Sequence, residues 1–264
     1  MERLQNDRKT TEERPQNERT NTTILKKHTM PRKTLRRIDQ TLDYTHHLFK
    51  PEELPRPWDA AAIFPDGSAP LEVEIGSGKG HFIHAAALEN PTHNFLGIEV
   101  AHKYAAFCAA ALIRSGIRNA AMVSGDALPL FEELFPERSL TAVHVYFPDP
   151  WWKKRHRKRR VMQMPLIRRI EKLLIPGGKL HFWTDVEEYF QTTLEMMAAE
   201  SILKGPYTPD VDTEAWRTHF EKRTIQEGRP VYRSYFVLED VPEEPQEETR
   251  KEPQEKPSAE ECPE

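Results

Sequence analysis

An alternation of two kinds of segment constrains this chain more than any other feature. LEVEIG, beginning at Leu71, reads as a strand ending in a glycine loop, and His81 to Glu89 (HFIHAAALE) reads as a helix. NFLGIEV is a second strand, and HKYAAFCAAALIRSG a second helix stopped by Gly116. AAMVSGDA is a third strand with a turn, and SLTAVHVYFPDP a fourth ended by two prolines. VMQMPLIRRIEKLLIPGG is a helix with its stop signal, KLHFWTDV a fifth strand, VEEYFQTTLEMMAAES a further helix, and RPVYRSYFVL a late antiparallel strand. Strands alternating with helices over about 130 residues predict a doubly wound α/β sheet with right-handed crossovers. Ligands of such a sheet bind outside the carboxyl ends of its strands.

The rest of the chain divides by composition. Residues 1–30 are polar with almost nothing apolar, and are expected to be a disordered extension. Residues 31–55 carry scattered apolar positions and five basic residues, which suggests an ordered basic arm against the core. The body is expected over 56–238, and 239–264 as an acidic, Pro/Glu-rich disordered tail. The net charge of −4 hides an asymmetry: from Glu239 onward there are 11 acidic and 3 basic residues, so the remainder is net positive. A near-neutral total therefore does not exclude an anionic partner. Two cysteines, one inside the tail, make no disulfide framework, and no CxxC pair suggests zinc. No apolar run approaches the roughly 20 residues that span a membrane, and the polar N-terminus lacks a secretion signal. A cytoplasmic protein without membrane or metal is the simple expectation, with monomer and homodimer both open.

The GSGKG loop, Gly76 to Gly80, follows a strand and opens a helix. Small residues there let backbone N–H groups approach a ligand at the positive end of the helix. A phosphate-binding loop needs Ser or Thr after the lysine at a different spacing, and here Lys79 is followed by Gly80. A dinucleotide loop needs a sixth-position glycine, where His81 stands. The reading that survives is S-adenosylmethionine, which has no pyrophosphate. Glu74, two residues before Gly76, would repel a pyrophosphate and suit a cation. Glu99 ends the second strand, where an acid can accept ribose hydroxyls, and Asp126 ends the third, within reach of adenine. The plainer alternative is that these acids only cap the helices that follow.

The fourth strand ends at Phe147-Pro148-Asp149-Pro150-Trp151-Trp152, followed by KKRHRKRR from Lys153 to Arg160. The prolines restrict the loop around Asp149. The tryptophans offer stacking faces to a base, and the run offers phosphate contacts from Lys154, Arg155, Arg157, Lys158, Arg159 and Arg160. A charge run is more often a solvated face or a localisation signal, but this one sits at the expected active edge.

At these residues the chain resembles a known family, the bacterial TrmB-type tRNA (guanine-N(7)-)-methyltransferases. EIGSGKG, FLGIEV, SGDA, FPDPWWKKRHRKRR, the TD of FWTD, and THFEKR follow the family's order over roughly residues 71–236. The resemblance implies a Rossmann-like class I S-adenosylmethionine-dependent methyltransferase fold, with a mostly parallel seven-stranded sheet and helices on both faces. It implies methyl transfer to guanine N(7) in tRNA, at position 46 of the variable loop. It implies that Glu74, Glu99, Asp126 and Asp149 contact the cofactor, beside Gly76 and Gly78 of the glycine loop, and Asp149 also matches the family's proposed catalytic acid. Lys153, Asp185, Thr218, His219, Phe220 and Glu221 match substrate-binding positions. His219 departs from the lysine of many members. Two other readings remain open: an adenine amino-methyltransferase, whose Asp-Pro-Pro-aromatic loop FPDPWW partly matches, and a non-catalytic RNA-binding protein on the same scaffold. His46 and His47 read as surface residues, the His81/His84 pair lacks a further metal ligand, and Cys108 reads as a small core residue.

Overall fold

The computed structural model describes residues 37–209 and 218–239, with His219 described by its backbone alone. The expected 1–30 extension, and all of the acidic tail beyond Glu239, lie outside the described residues.

One sheet carries eight strands: β1 (Leu48–Phe49), β2 (Leu71–Ile75), β3 (Asn94–Glu99), β4 (Ala120–Ser124), β5 (Leu140–Tyr146), β6 (Leu174–Thr184), β7 (Lys204–Tyr207) and β8 (Tyr232–Val237). The helices are α1 (His81–Glu89), α2 (His102–Arg114), α3 (Ala127–Glu133), α4 (Met164–Leu173), α5 (Glu187–Glu200) and α6 (His219–Gln226). Strand order is β1-β4-β3-β2-β5-β6-β8-β7. The first six are parallel, β8 runs antiparallel to β6, and β7 antiparallel to β8. The order reverses between β2 and β5, which places the ligand crevice of this fold above the carboxyl ends of those two strands.

Helices cover both faces. All six residues of β3 are buried, as a parallel strand packed on two sides requires. Val73 and Ile75 of β2 face an apolar cluster that includes Leu130, Phe131, Ile167 and Tyr189. Phe82, Ala105, Cys108 and Leu112 of α1 and α2 form the second cluster with Phe95 and Met122. Strand alternation therefore turns Glu72 and Glu74 toward the α1/α2 face, where Glu74 is buried and only part of Glu72 reaches water. Gly80, at the start of α1 with φ +71, is where the two helices meet. A Cβ there would stand 1.8 Å from the Cys108 Sγ.

Three features depart from the sequence reading. The sheet has one strand more than the expected seven. The addition, β1, comes from the 31–55 segment and pairs with β4, where the Met122 N–H donates to the His47 carbonyl at 2.9 Å. Two residues carry no periodicity, so only their partner defines them as a strand. Second, α3 occupies ALPLFEE, for which no helix was expected; Pro129 falls in its first turn, where a missing N–H costs nothing. Third, α4 ends at Leu173, and the LIPGG segment read as its stop enters β6 through the pairing of Leu174 with Leu140.

Candidate active site

Five acidic residues stand at the carboxyl ends of five neighbouring strands: Glu74 on β2, Glu99 on β3, Asp126 just beyond β4, Asp149 beyond β5 and Asp185 beyond β6. Their surroundings differ sharply.

Glu74 is 3% exposed, and its Oε2 has no hydrogen-bond partner among the described residues. Burial, opposed by Ser77 and reinforced by the charge of Glu99, pushes its carboxyl up to about 8. Directly above it the glycine loop folds over the end of β3, with the Gly76 and Ser77 N–H groups donating to the Ile98 carbonyl at 2.8 and 3.2 Å. Gly76 has φ +77, and nothing lies within 4 Å of where a Cβ would be. Glu99 accepts from the Gly78 N–H at 2.8 Å through Oε2 and from the Ala101 N–H at 2.8 Å through Oε1. It thus ties the glycine loop to the start of α2. Asp126 is exposed and caps α3 by accepting from the Leu128 N–H at 3.1 Å.

Two clefts meet at Gly76. The larger, about 530 Å³, runs along Ile98, Val100, Asp126 and Leu128 to Lys158 and Arg159. The smaller, about 280 Å³, is lined by Glu74, Gly78, Phe82, Tyr146, Phe147 and Phe220. Under the second cleft lies a polar network. His144 bridges the Tyr146 hydroxyl at 2.9 Å and the Glu72 carboxylate at 2.7 Å, and His93 meets the other Glu72 oxygen at 2.7 Å. Burial works against the Glu72 charge, but these two hydrogen bonds hold its carboxyl below the ordinary range.

The Asp149 loop has unusual backbone. Phe147 and Trp151 take φ +49 and +47, a region that costs a side-chain-bearing residue of order 1–3 kcal/mol and persists only where the surroundings impose it. The Phe147 N–H donates to the Trp183 carbonyl at 2.8 Å, and its ring packs 5.0 Å from that of Phe220. Asp149 itself is exposed, and no hydrogen bond or ion pair among the described residues engages its carboxylate. Asp185, by contrast, is paired with Arg229, whose guanidinium also lies 5.9 Å from the Phe220 ring.

The basic run forms a 3-10 helix, Lys154–Arg159, with Lys153 at its start. Lys153, Lys154, Arg155, Arg157, Lys158 and Arg159 are exposed. Trp151 lies under Arg159 at 5.1 Å and beside His156, whereas Trp152 is 70% exposed. One expectation is corrected here. Arg160 is not a surface phosphate contact: its side chain is 7% exposed and bonded to Glu188 at 2.6 Å. Glu221, which the resemblance places among the substrate-binding positions, is set by an ion pair. It is buried and accepts from Arg233 at 2.6 and 2.8 Å, pinning α6 to β8. Of the remaining α6 residues, Thr218 caps the helix through the Glu221 N–H and Phe220 faces the smaller cleft, while the side chain of His219 lies outside the described residues.

The match to known proteins covers this whole site. A family model described as "Putative methyltransferase" matches residues 68–234. A tRNA (guanine-N(7)-)-methyltransferase of Rhodopirellula baltica is 45% identical over 214 residues, 77% of this chain and 79% of that protein. Proteins of the same name from Bordetella pertussis and Legionella pneumophila (strain Paris) are 40% and 38% identical, each over 69% of this chain and over 72% and 79% of their own lengths. The chain belongs to the tRNA (guanine-N(7)-)-methyltransferase family. Within that frame, Tyr146, Glu188, Arg229 and Arg233 surround the site but were not singled out from the sequence. Only Tyr146, two residues before the FPDPWW prolines, had any local signal. The other three act on the site through partners 12 to 44 positions away in the chain. Among the described residues no helix is long and apolar enough to cross a membrane, and no group of three or more His, Cys, Asp or Glu could hold a metal ion.

Proposed function

We propose that this chain transfers the methyl group of S-adenosylmethionine to N(7) of a guanine in tRNA, with position 46 of the variable loop as the target. The observation that carries this reading is the unpaired Asp149 carboxylate, held on a strained loop beside two joined clefts and followed by an exposed basic helix.

The clefts fit the cofactor. Glu74 offers a buried carboxylate oxygen without a partner, which suits a cationic group and no phosphate. Gly76 leaves backbone room where the clefts meet, Gly78 lines the smaller cleft with its N–H held by Glu99, and Asp126 stands in the larger cleft beside the apolar walls of Ile98 and Leu128. When bound, S-adenosylmethionine supplies an electrophilic methyl group on a sulfonium. Guanine N(7) carries a lone pair and no proton, so no general base is required. The protein's task is alignment and exclusion of water. Positive charge accumulates on the purine as N(7) is methylated, and a fixed carboxylate beside it stabilises that charge. Asp149 takes this role, and its free oxygens can also accept from the adjacent donors of the guanine edge. Asp185 is engaged by Arg229, which Glu227 also holds, so it organises the Phe220 wall. Lys153 to Arg159 hold the tRNA backbone, and Trp152 offers its open face to a base.

Incubation with unmodified tRNA followed by mass analysis of nucleosides tests the reaction: 7-methylguanosine is expected. N(6)-methyladenosine would transfer the assignment to the adenine amino-methyltransferase reading. A tRNA whose guanine 46 is replaced should not be methylated.

A further inference from the structure

Arg160 is the one member of the basic run turned inward. Its Nε donates to the Pro150 carbonyl at 2.9 Å. One terminal nitrogen donates to Glu188 Oε2 at 2.6 Å, and the other reaches Glu188 Oε1 at 3.4 Å and Thr192 Oγ1 at 3.5 Å. The guanidinium carbon lies 4.4 Å from the centre of the Tyr189 ring, and the Tyr189 hydroxyl accepts from the Met162 N–H at 3.1 Å. Glu188 also meets Arg157 at 3.2 Å. The hydrogen bond from Arg160 is the main reason that the Glu188 carboxyl stays below its ordinary range.

The carbonyl gripped by Arg160 belongs to the residue after Asp149. The Asp149 side chain has no partner of its own to fix it, so the backbone on either side must do so. At one end the Phe147 N–H is held by Trp183; at the other the Pro150 carbonyl is held by Arg160. A buried guanidinium needs a counter-charge, and Glu188 is the carboxylate that supplies it. We propose that Glu188, acting through Arg160, is a positioning residue for Asp149. The pair clamps the Asp149 loop and the basic helix to α5 as one unit. This rests on the catalytic reading of Asp149 above.

The sign of the effect separates this role from simpler ones. Glu188 is an acid beside a face that binds an anion, so a purely electrostatic role predicts tighter tRNA binding and an unchanged rate when it is neutralised. A clamp predicts a slower chemical step with tRNA binding no weaker, because small misplacements of a catalytic group are costly in rate. The experiment is single-turnover methyl transfer by full-length Glu188→Gln, with dissociation constants for tRNA and S-adenosylmethionine measured on the same protein. A rate loss of about 10- to 100-fold, with both dissociation constants unchanged or tighter, is expected. An unchanged rate overturns the proposal. So does a rate that falls only in parallel with weaker binding of both ligands and a lower melting temperature. Should Glu188→Gln fail to fold, Arg160→Lys keeps the charge but loses the fork that spans Pro150 and Glu188, and the same rate loss is expected. Asp149→Asn is run alongside: if it keeps the wild-type rate, the reading of Asp149 falls and the clamp with it. A slow Asp149→Asn with a normal Glu188→Gln removes the clamp alone.

Discussion

Glu74→Gln is the most informative single change, because the structure assigns Glu74 an unusual protonation state and a reason for it. The carboxyl is buried, one oxygen is unpartnered, and its pKa stands at about 8 against an ordinary 4.5. A raised carboxyl pKa means that the folded protein keeps a proton which the unfolded chain has released. Its contribution to stability is therefore undiminished below pH 4.5 and is lost as pH rises toward 8. Within that window wild type should lose about 1.4 kcal/mol per pH unit relative to Glu74→Gln, with a ceiling on the order of 5 kcal/mol above pH 8. Urea unfolding of both proteins from pH 4.5 to 8.5 reads this directly: the stability curves should diverge, with the glutamine variant more stable at the alkaline end. The same group links binding to pH. At pH 7 roughly nine-tenths of Glu74 is protonated, so a cationic ligand that requires the carboxylate should release up to about 0.9 proton per site. Calorimetry with S-adenosylmethionine in buffers of different ionisation enthalpy would detect that release in wild type and not in Glu74→Gln. Parallel stability curves would refute the raised pKa. Divergent curves without proton release would refute the pairing of Glu74 with a cation.

Four further outcomes follow from the same geometry. Asp149→Ala should remove methyl transfer in a single-turnover assay while calorimetry still detects cofactor binding. Replacing Lys154, Arg155, Lys158 and Arg159 with alanine should weaken tRNA binding and lower the slope of log K against log salt by about one for each phosphate left without its cation, whereas Arg160→Ala should lower the melting temperature instead. Gly80→Ala combines a positive φ with a Cβ 1.8 Å from the Cys108 Sγ, and should cost about 2 kcal/mol or more in chemical unfolding, part of which Cys108→Gly restores. Asp185→Asn removes one of the two carboxylates that hold Arg229 beside Phe220, leaving Glu227, and should raise KM for tRNA more than it lowers kcat.

The parts of the site legible in the sequence were those whose causes are local. Glycine at 76, 78 and 80, acids at strand ends, and prolines flanking Asp149 act through backbone freedom and the strand–turn–helix rhythm, and all are visible within a few residues. The central strands were legible for the same reason: apolar runs buried on both faces need no partner to identify them. What the sequence hid was set by distant partners. The two residues of β1 are a strand only because β4 lies beside them, and β7 is four exposed residues defined by β8. The ion pair of Glu221 with Arg233, twelve positions later, has no trace in THFEKR itself. Arg160 shows the limit most clearly. In a row of seven cations nothing distinguishes it from Arg159, yet one side chain faces solvent and the other is buried against Glu188 and Tyr189. The difference lies in a helix 28 residues downstream. Composition thus shows that a basic run is present, but the fold decides which of its charges meet an RNA and which one holds the loop that carries Asp149.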